Sequence, residues 1–98
     1  MKKVLIILVI LFLNFAYSQE DLFVKGFKAY ESGDYPTALK YFQQACDLNN
    51  GSGCNNLGIM YENGDGVRKN LSKALEYFGK ACDLKNDEGC QNYARLKQ

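Results

Sequence analysis

Ala38-Leu39-Lys40-Tyr41-Phe42-Gln43-Gln44-Ala45-Cys46-Asp47-Leu48 and Ala74-Leu75-Glu76-Tyr77-Phe78-Gly79-Lys80-Ala81-Cys82-Asp83-Leu84 are two copies of one segment, 36 residues apart. The register continues into Gly53-Cys54 against Gly89-Cys90 and Asn56 against Asn92. Over residues 38–62 and 74–98, 12 of 25 positions are identical, which makes the chain an array of similar units. A second echo has a different offset. Tyr30-Glu31-Ser32-Gly33-Asp34 matches Tyr61-Glu62-Asn63-Gly64-Asp65 at a distance of 31 residues, so the first unit has a turn five residues shorter.

Within each unit the apolar residues recur at helical spacing. Phe23, Gly26, Phe27 and Tyr30 fall at i, i+3, i+4, i+7, as do Ala38, Tyr41, Phe42 and Ala45, and Cys54, Leu57, Gly58 and Tyr61. Leu71, Ala74, Leu75, Phe78, Ala81 and Cys82 form a longer stripe. Such spacing places each set on one face of a helix. Asp34 and Asn70 are expected N-caps, and Pro36 suits a first helical turn. Asn49-Asn50-Gly51 and Gly64-Asp65-Gly66 read as helix ends. The expectation is five helices near residues 21–32, 36–48, 53–63, 70–84 and 88–97. Gly26, Ala38, Ala45, Gly58, Ala74, Ala81 and Ala94 would let neighbouring helices approach closely. The fold expected is all-α, a short α-solenoid of antiparallel helix pairs with about two and a half repeats.

Composition removes several chemistries. The 98 residues contain Lys+Arg 12, Asp+Glu 11 and no His. Without His there is no Ser-His or Cys-His pair and no His-ligated zinc, and neither a metal nor a cofactor is expected. A net charge of +1 offers no footprint for nucleic acid.

The amino-terminal residues read as an address. Lys2 and Lys3 precede an uncharged run of 16 residues, Val4 to Gln19, and Ala16-Tyr17-Ser18 puts small residues at the −3 and −1 positions of a cleavage site. This is the pattern of a secretory signal peptide over residues 1–18, leaving 19–98 as the helical repeat domain. The run is short for a membrane crossing of about 20 residues, so no span is expected after cleavage. The location expected is secreted or periplasmic.

A mature chain this small buries only about 60% of its unfolded surface, and exported domains of that size commonly carry disulfides. Cys46 and Cys54 are eight residues apart, and so are Cys82 and Cys90. In each pair one Cys lies near a helix end and the other near the next helix start. Four Cys allow three pairings. The repeat favours Cys46–Cys54 with Cys82–Cys90. Neither C-x-x-C redox spacing nor the close Cys spacing of a zinc site is present.

The segment Leu57-Gly58-Ile59-Met60-Tyr61-Glu62-Asn63-Gly64-Asp65-Gly66-Val67, with Lys73-Ala74 and Tyr77-Phe78-Gly79-Lys80-Ala81 after it, resembles the Sel-like repeat, a relative of the tetratricopeptide repeat. Ala-Cys-Asp-Leu followed by Gly-Cys is similar to the secreted Helicobacter cysteine-rich proteins, whose units each carry a disulfide eight residues apart. The resemblance covers about residues 22–98. The short Gly33-Asp34-Tyr35-Pro36 turn looks more like an ordinary tetratricopeptide repeat, and residues 87–98 read as a truncated, capping unit.

Two functions follow as expectations. A helical solenoid presents a concave face built by the first helix of each pair. The candidate ligand-binding residues there are Asn55, Asn56, Ile59, Gln91, Asn92 and Arg95, with Lys25, Lys28 and Met60 beside them. An amide both donates and accepts, which matches a peptide backbone. The expected partner is a peptide, a protein or a cell-wall fragment, with a β-lactam as a further candidate. The alternative, implied by the resemblance alone, is a β-lactamase or penicillin-binding protein. The residues supply no S-x-x-K, S-D-N or K-T-G, so catalytic residues stay unassigned.

Overall fold

A computed structural model describes residues 22–98, and the signal-peptide reading of residues 1–18 lies outside them. Five helices follow one another: α1 (22–31), α2 (Tyr35–Asp47), α3 (Gly51–Asn63), α4 (Leu71–Asp83) and α5 (Asp87–Lys97). No strand occurs among the described residues. The architecture is a short all-α solenoid in which α3 packs on both α2 and α4, and α4 on α5.

Three of the four turns are the same device. At the α2–α3 turn the backbone N–H of Asn50 donates to Ala45 O at 3.0 Å, and that of Asn49 to Cys46 O at 2.9 Å. The orphan carbonyls of α2 are thereby satisfied, and Asn49 takes the left-handed conformation this closure needs, with φ of 65°. The Asn50 side chain then accepts from Gly53 N at 2.8 Å and caps α3. One residue closes a helix and opens the next. At the α4–α5 turn, Asn86 N donates to Ala81 O at 3.0 Å and Lys85 N to Cys82 O at 2.9 Å. Asn86 Oδ1 accepts from Gly89 N at 2.7 Å. The α1–α2 turn repeats the pattern, with Gly33 at φ of 84° and Asp34 capping α2.

The sequence pattern started α3 at 53 and α5 at 88, whereas the helices begin at Gly51 and Asp87. Asn50 and Asn86 are the reason. The polar first turns carry no apolar stripe, but the capping amides set the boundary.

This tight reversal brings helix ends into contact where the cysteines lie. A Cβ on Gly53 would stand 2.8 Å from Ala45 Cβ, and one on Gly89 would stand 2.5 Å from Ala81 Cβ. Glycine is required at both places by close approach. The Cα atoms of Cys46 and Cys54 are 4.6 Å apart, those of Cys82 and Cys90 are 4.4 Å apart, and each pair is joined by a disulfide. Closing a loop of this length contributes about 2.5 kcal/mol per bridge in the chain-entropy treatment.

The α3–α4 link is longer. Gly64, at φ of 74°, ends α3, and Asn70 caps α4 by accepting from Lys73 N at 3.0 Å. Between them the chain leans back on the first hairpin, where Asp65 Oδ2 accepts from the Tyr30 hydroxyl at 3.2 Å. The five extra residues of this turn therefore tie the second unit to the first.

Phe42, Phe78, Leu57 and Met60 fill the interior, with Ala38, Ala45, Ala74 and Ala81 allowing the helices to close around them. Three expectations are corrected. Met60, placed beside the binding residues from sequence, is fully buried. Leu71 of the α4 stripe is 48% exposed because it is the first residue of its helix. Ala94 is exposed, so it is not a point of close helix approach.

Two substitutions test the turns. Gly89→Ala forces a Cβ against Ala81 and is expected to lower stability by about 1–3 kcal/mol, read as a lower urea midpoint at unchanged slope. Lys85 holds φ of 69° without being Gly or Asn. Lys85→Asn, which copies Asn49 of the first turn, is expected to raise stability by about 1 kcal/mol in the same measurement.

Candidate functional site: the inner face of α3

Helix α3 presents two flanks. One faces α1 and the other faces α5, because residues 55 and 56 are adjacent in sequence and about 100° apart around the axis. The sequence-derived candidates divide between them.

On the α1 side, Phe27, Tyr30, Phe42, Asn56 and Ile59 line a groove of about 200 Å³. Phe42 is buried and forms its floor, while Phe27 is 44% exposed at its rim. The Tyr30 hydroxyl is already committed to Asp65. Its pKa lies above the ordinary value of 10.0, through burial first and then the charge and hydrogen bond of Asp65, so it stays a donor. Asn56 is half-buried and makes no side-chain hydrogen bond within the described residues. The groove thus offers apolar walls and one amide with both donor and acceptor capacity.

On the α5 side the candidates bond to each other. Asn55 is 1% exposed, its amide nitrogen donating to Glu88 Oε2 at 3.2 Å and its oxygen accepting from Asn92 Nδ2 at 2.9 Å. Asn92 Oδ1 accepts from Arg95 at 3.4 Å. Arg95 closes the ladder with two parallel bonds to Glu62, at 2.8 and 2.9 Å. This is the two-pronged geometry that suits a guanidinium to a carboxylate. The arrangement clamps α5 onto α3, and burial keeps the Asn55 amide out of a ligand's reach. Gln91 stays exposed on α5, Lys28 is exposed on α1, and Lys25 stands over the Tyr41 ring at 5.9 Å.

Glu62 and Glu88, which complete the ladder, are not among the sequence-derived candidates, and neither are Phe27, Tyr30 and Phe42, whose spacing marks them as core stripe. The acidic partners lie about one repeat from Asn55 and Arg95, at separations of 33 residues each. That distance was the available signal.

No group of three or more metal-ligating side chains occurs among the described residues, and all four cysteines are bridged. No described helix is long and apolar enough to cross a membrane. Ser32 donates to its own helix at Ala29 O, and Ser52 accepts from Asn86, so both hydroxyls serve helix ends.

The ladder has a pH signature. The hydrogen bond from Arg95 lowers the Glu62 pKa below the ordinary carboxyl value of 4.5. A depressed carboxyl contributes stability above its unfolded pKa and loses it as pH falls through the folded one. The melting temperature of the parent chain is therefore expected to exceed that of Glu62→Gln at pH 7, with the gap closing below about pH 4. A gap that persists at pH 2 would contradict this.

The Sel1 repeat model matches residues 16–50 and 51–86, together nearly three quarters of the chain. The division falls between the N-cap Asn50 and the first residue of α3. The chain is similar to "Putative beta-lactamase HcpC" of Helicobacter pylori strain J99, at 50% identity over 55% of this chain and 19% of that protein. It is 41% identical to "Putative beta-lactamase HcpD" of H. pylori strain 26695 over 59% of this chain and 19% of the relative. It is 42% identical to "Beta-lactamase HcpA" of strain J99 over 56% of this chain and 22% of the relative. The chain spans about a fifth of the length of these relatives. By its paired repeats and the helix pairs they form, it belongs to the Sel1 repeat family.

Proposed function

We propose that this protein is an exported interaction module that holds an extended peptide segment on its inner face. A bulky apolar side chain of the segment enters the groove between Phe27, Phe42 and Ile59, and the Asn56 amide pairs with the adjoining backbone. The observation that carries this reading is the groove itself, apolar in its walls with one amide left unpaired at its edge. The Sel1 repeat, a protein-interaction fold, supports it. The export reading rests on the signal-peptide pattern of residues 1–18 and is supported by the two disulfides, which persist in oxidising compartments.

A β-lactamase activity is carried only by the names of relatives that this chain matches in part. The hydroxyls of Ser32 and Ser52 are engaged at helix ends, and Ser72 is exposed in the first turn of α4. None of these placements supplies an activated nucleophile.

Selection of a random peptide library on the oxidised protein, followed by fluorescence polarisation with a selected peptide, tests the proposal. Selected sequences are expected to share one large apolar position. Asn56→Ala is expected to weaken binding about tenfold, the loss of one or two hydrogen bonds. Ile59→Ala is expected to weaken it by a similar factor while the far-UV spectrum is unchanged. Binding indifferent to both substitutions, or turnover of a chromogenic β-lactam that scales with folded protein, would overturn it.

A further inference from the structure

The two bridges have the same chemistry and the same turn, but different surroundings. Cys46 and Cys54 are completely buried and belong to the central apolar cluster. The second hairpin covers them. A Cβ built on Gly51 in the first turn would lie 3.1 Å from Asn86 Cβ and 3.4 Å from Leu84 Cβ, so the α4–α5 turn is seated on the α2–α3 turn. Cys82 and Cys90 are partly exposed, and no described residue is seated on their turn as theirs is on the first. Helix α5 packs on α4 and α3 but has Gly89 as its one fully buried residue. What fixes it is the bridge, the Asn86 cap, the Tyr93 and Leu96 contacts with the core, and the amide and ion-pair ladder to α3.

We infer that Cys82–Cys90 is a thiol-exchange site and a latch on α5, open to a dithiol while the rest of the chain stays folded. Exchange requires a thiolate to reach a sulfur along the bridge axis, so access decides which bridge reacts. A thiolate of the dithiol attacks one sulfur of Cys82–Cys90, forming a mixed disulfide and expelling the other cysteine as a thiolate. The second thiol of the reagent then attacks the mixed disulfide. This releases the remaining cysteine and leaves the reagent as its cyclic disulfide. Two electrons pass from reagent to protein, and the cysteine thiolates take up protons from solvent. The Cys46–Cys54 sulfurs lie under the second turn and exchange only when the core opens. With the latch released, α5 keeps its cap, its Tyr93 and Leu96 contacts and the ladder, and loses only the covalent tie of its first turn to α4, so the helix opens more often.

The test uses the full oxidised chain and dithiothreitol as the dithiol. Samples are quenched with iodoacetamide over a time course without denaturant, and the labelled cysteines are mapped by mass spectrometry. The expected result is a species labelled at Cys82 and Cys90 only, accumulating at least tenfold faster than label on Cys46 or Cys54. Hydrogen exchange on that species is expected to show faster exchange in α5 and unchanged protection in α2 and α3. Simultaneous labelling of all four cysteines, or label on Cys46 and Cys54 first, would overturn the inference. So would an α5 protected equally with and without its bridge. The Cys82→Ser/Cys90→Ser chain supplies the second hydrogen-exchange comparison should the singly reduced species be short-lived.

Discussion

Everything in this fold hangs on a three-residue reversal that must satisfy two helices at once. Leu48-Asn49-Asn50 and Leu84-Lys85-Asn86 each leave a helix through a left-handed residue and enter the next through a capping amide. So short a link leaves the two helices no freedom to separate. Their ends must pack backbone to backbone, which is possible only with Ala45 against Gly53 and Ala81 against Gly89. Once those small residues meet, the neighbouring cysteines are within bridging distance without any further adjustment. The disulfide is therefore a consequence of the turn as much as a support for it. Its main effect falls on the unfolded chain, whose loops it closes in advance.

A solenoid of this size has little core to spare. The deeply buried large side chains are few, chiefly Phe42, Phe78, Leu57 and Met60. Local closure would keep each hairpin intact but would not join one hairpin to the next. That task falls to contacts across units. The longer α3–α4 turn supplies one through Asp65 and Tyr30, and the Tyr77 hydroxyl supplies another by donating to Gln43 at 3.2 Å. The Glu62–Arg95 ladder supplies a third. Each is polar and partly solvated, so each contributes modestly. Their value is orientation. They fix the angle between successive helix pairs and hence the curvature of the inner face.

The helices were legible in the sequence because apolar side chains repeat at the helical period and the period itself repeats. The turns were only half legible. Asn49-Asn50-Gly51 contains residues whose types favour reversal, which is enough to mark the end of α2. That Asn50 also starts α3 depends on where its amide points, which composition does not encode. The inner face was the least legible. Asn55 and Asn56 are the same residue type side by side, yet one is buried in a ladder and the other lines a groove. What separates them is the rotation of α3 relative to α1 and α5, a tertiary quantity. The spacing of Phe27 and Phe42 marks both for packing, and both pack against Phe23. The groove exists because Phe27 is only partly covered.

The division of α3 into two flanks bears directly on what the molecule can bind. An amide in a ladder is costly to recruit, because a ligand would have to replace two internal bonds before gaining any. Asn55 and Asn92 are in that position, and Arg95 would have to leave a paired carboxylate. Asn56 starts with nothing to give up. The α5 flank therefore holds the last helix in register, and on the proposed reading the α1 flank is the one that meets the ligand. That asymmetry arises although Asn56 and Asn92 are equivalent positions in the repeat. The neighbours differ, not the residue. Asn92 meets Asn55 across the α3–α5 contact, while Asn56 meets the aromatic side of α1, which has no amide to pair with it. Repetition in sequence supplies the same side chain twice, and the change of partner from one unit to the next gives the two copies different work.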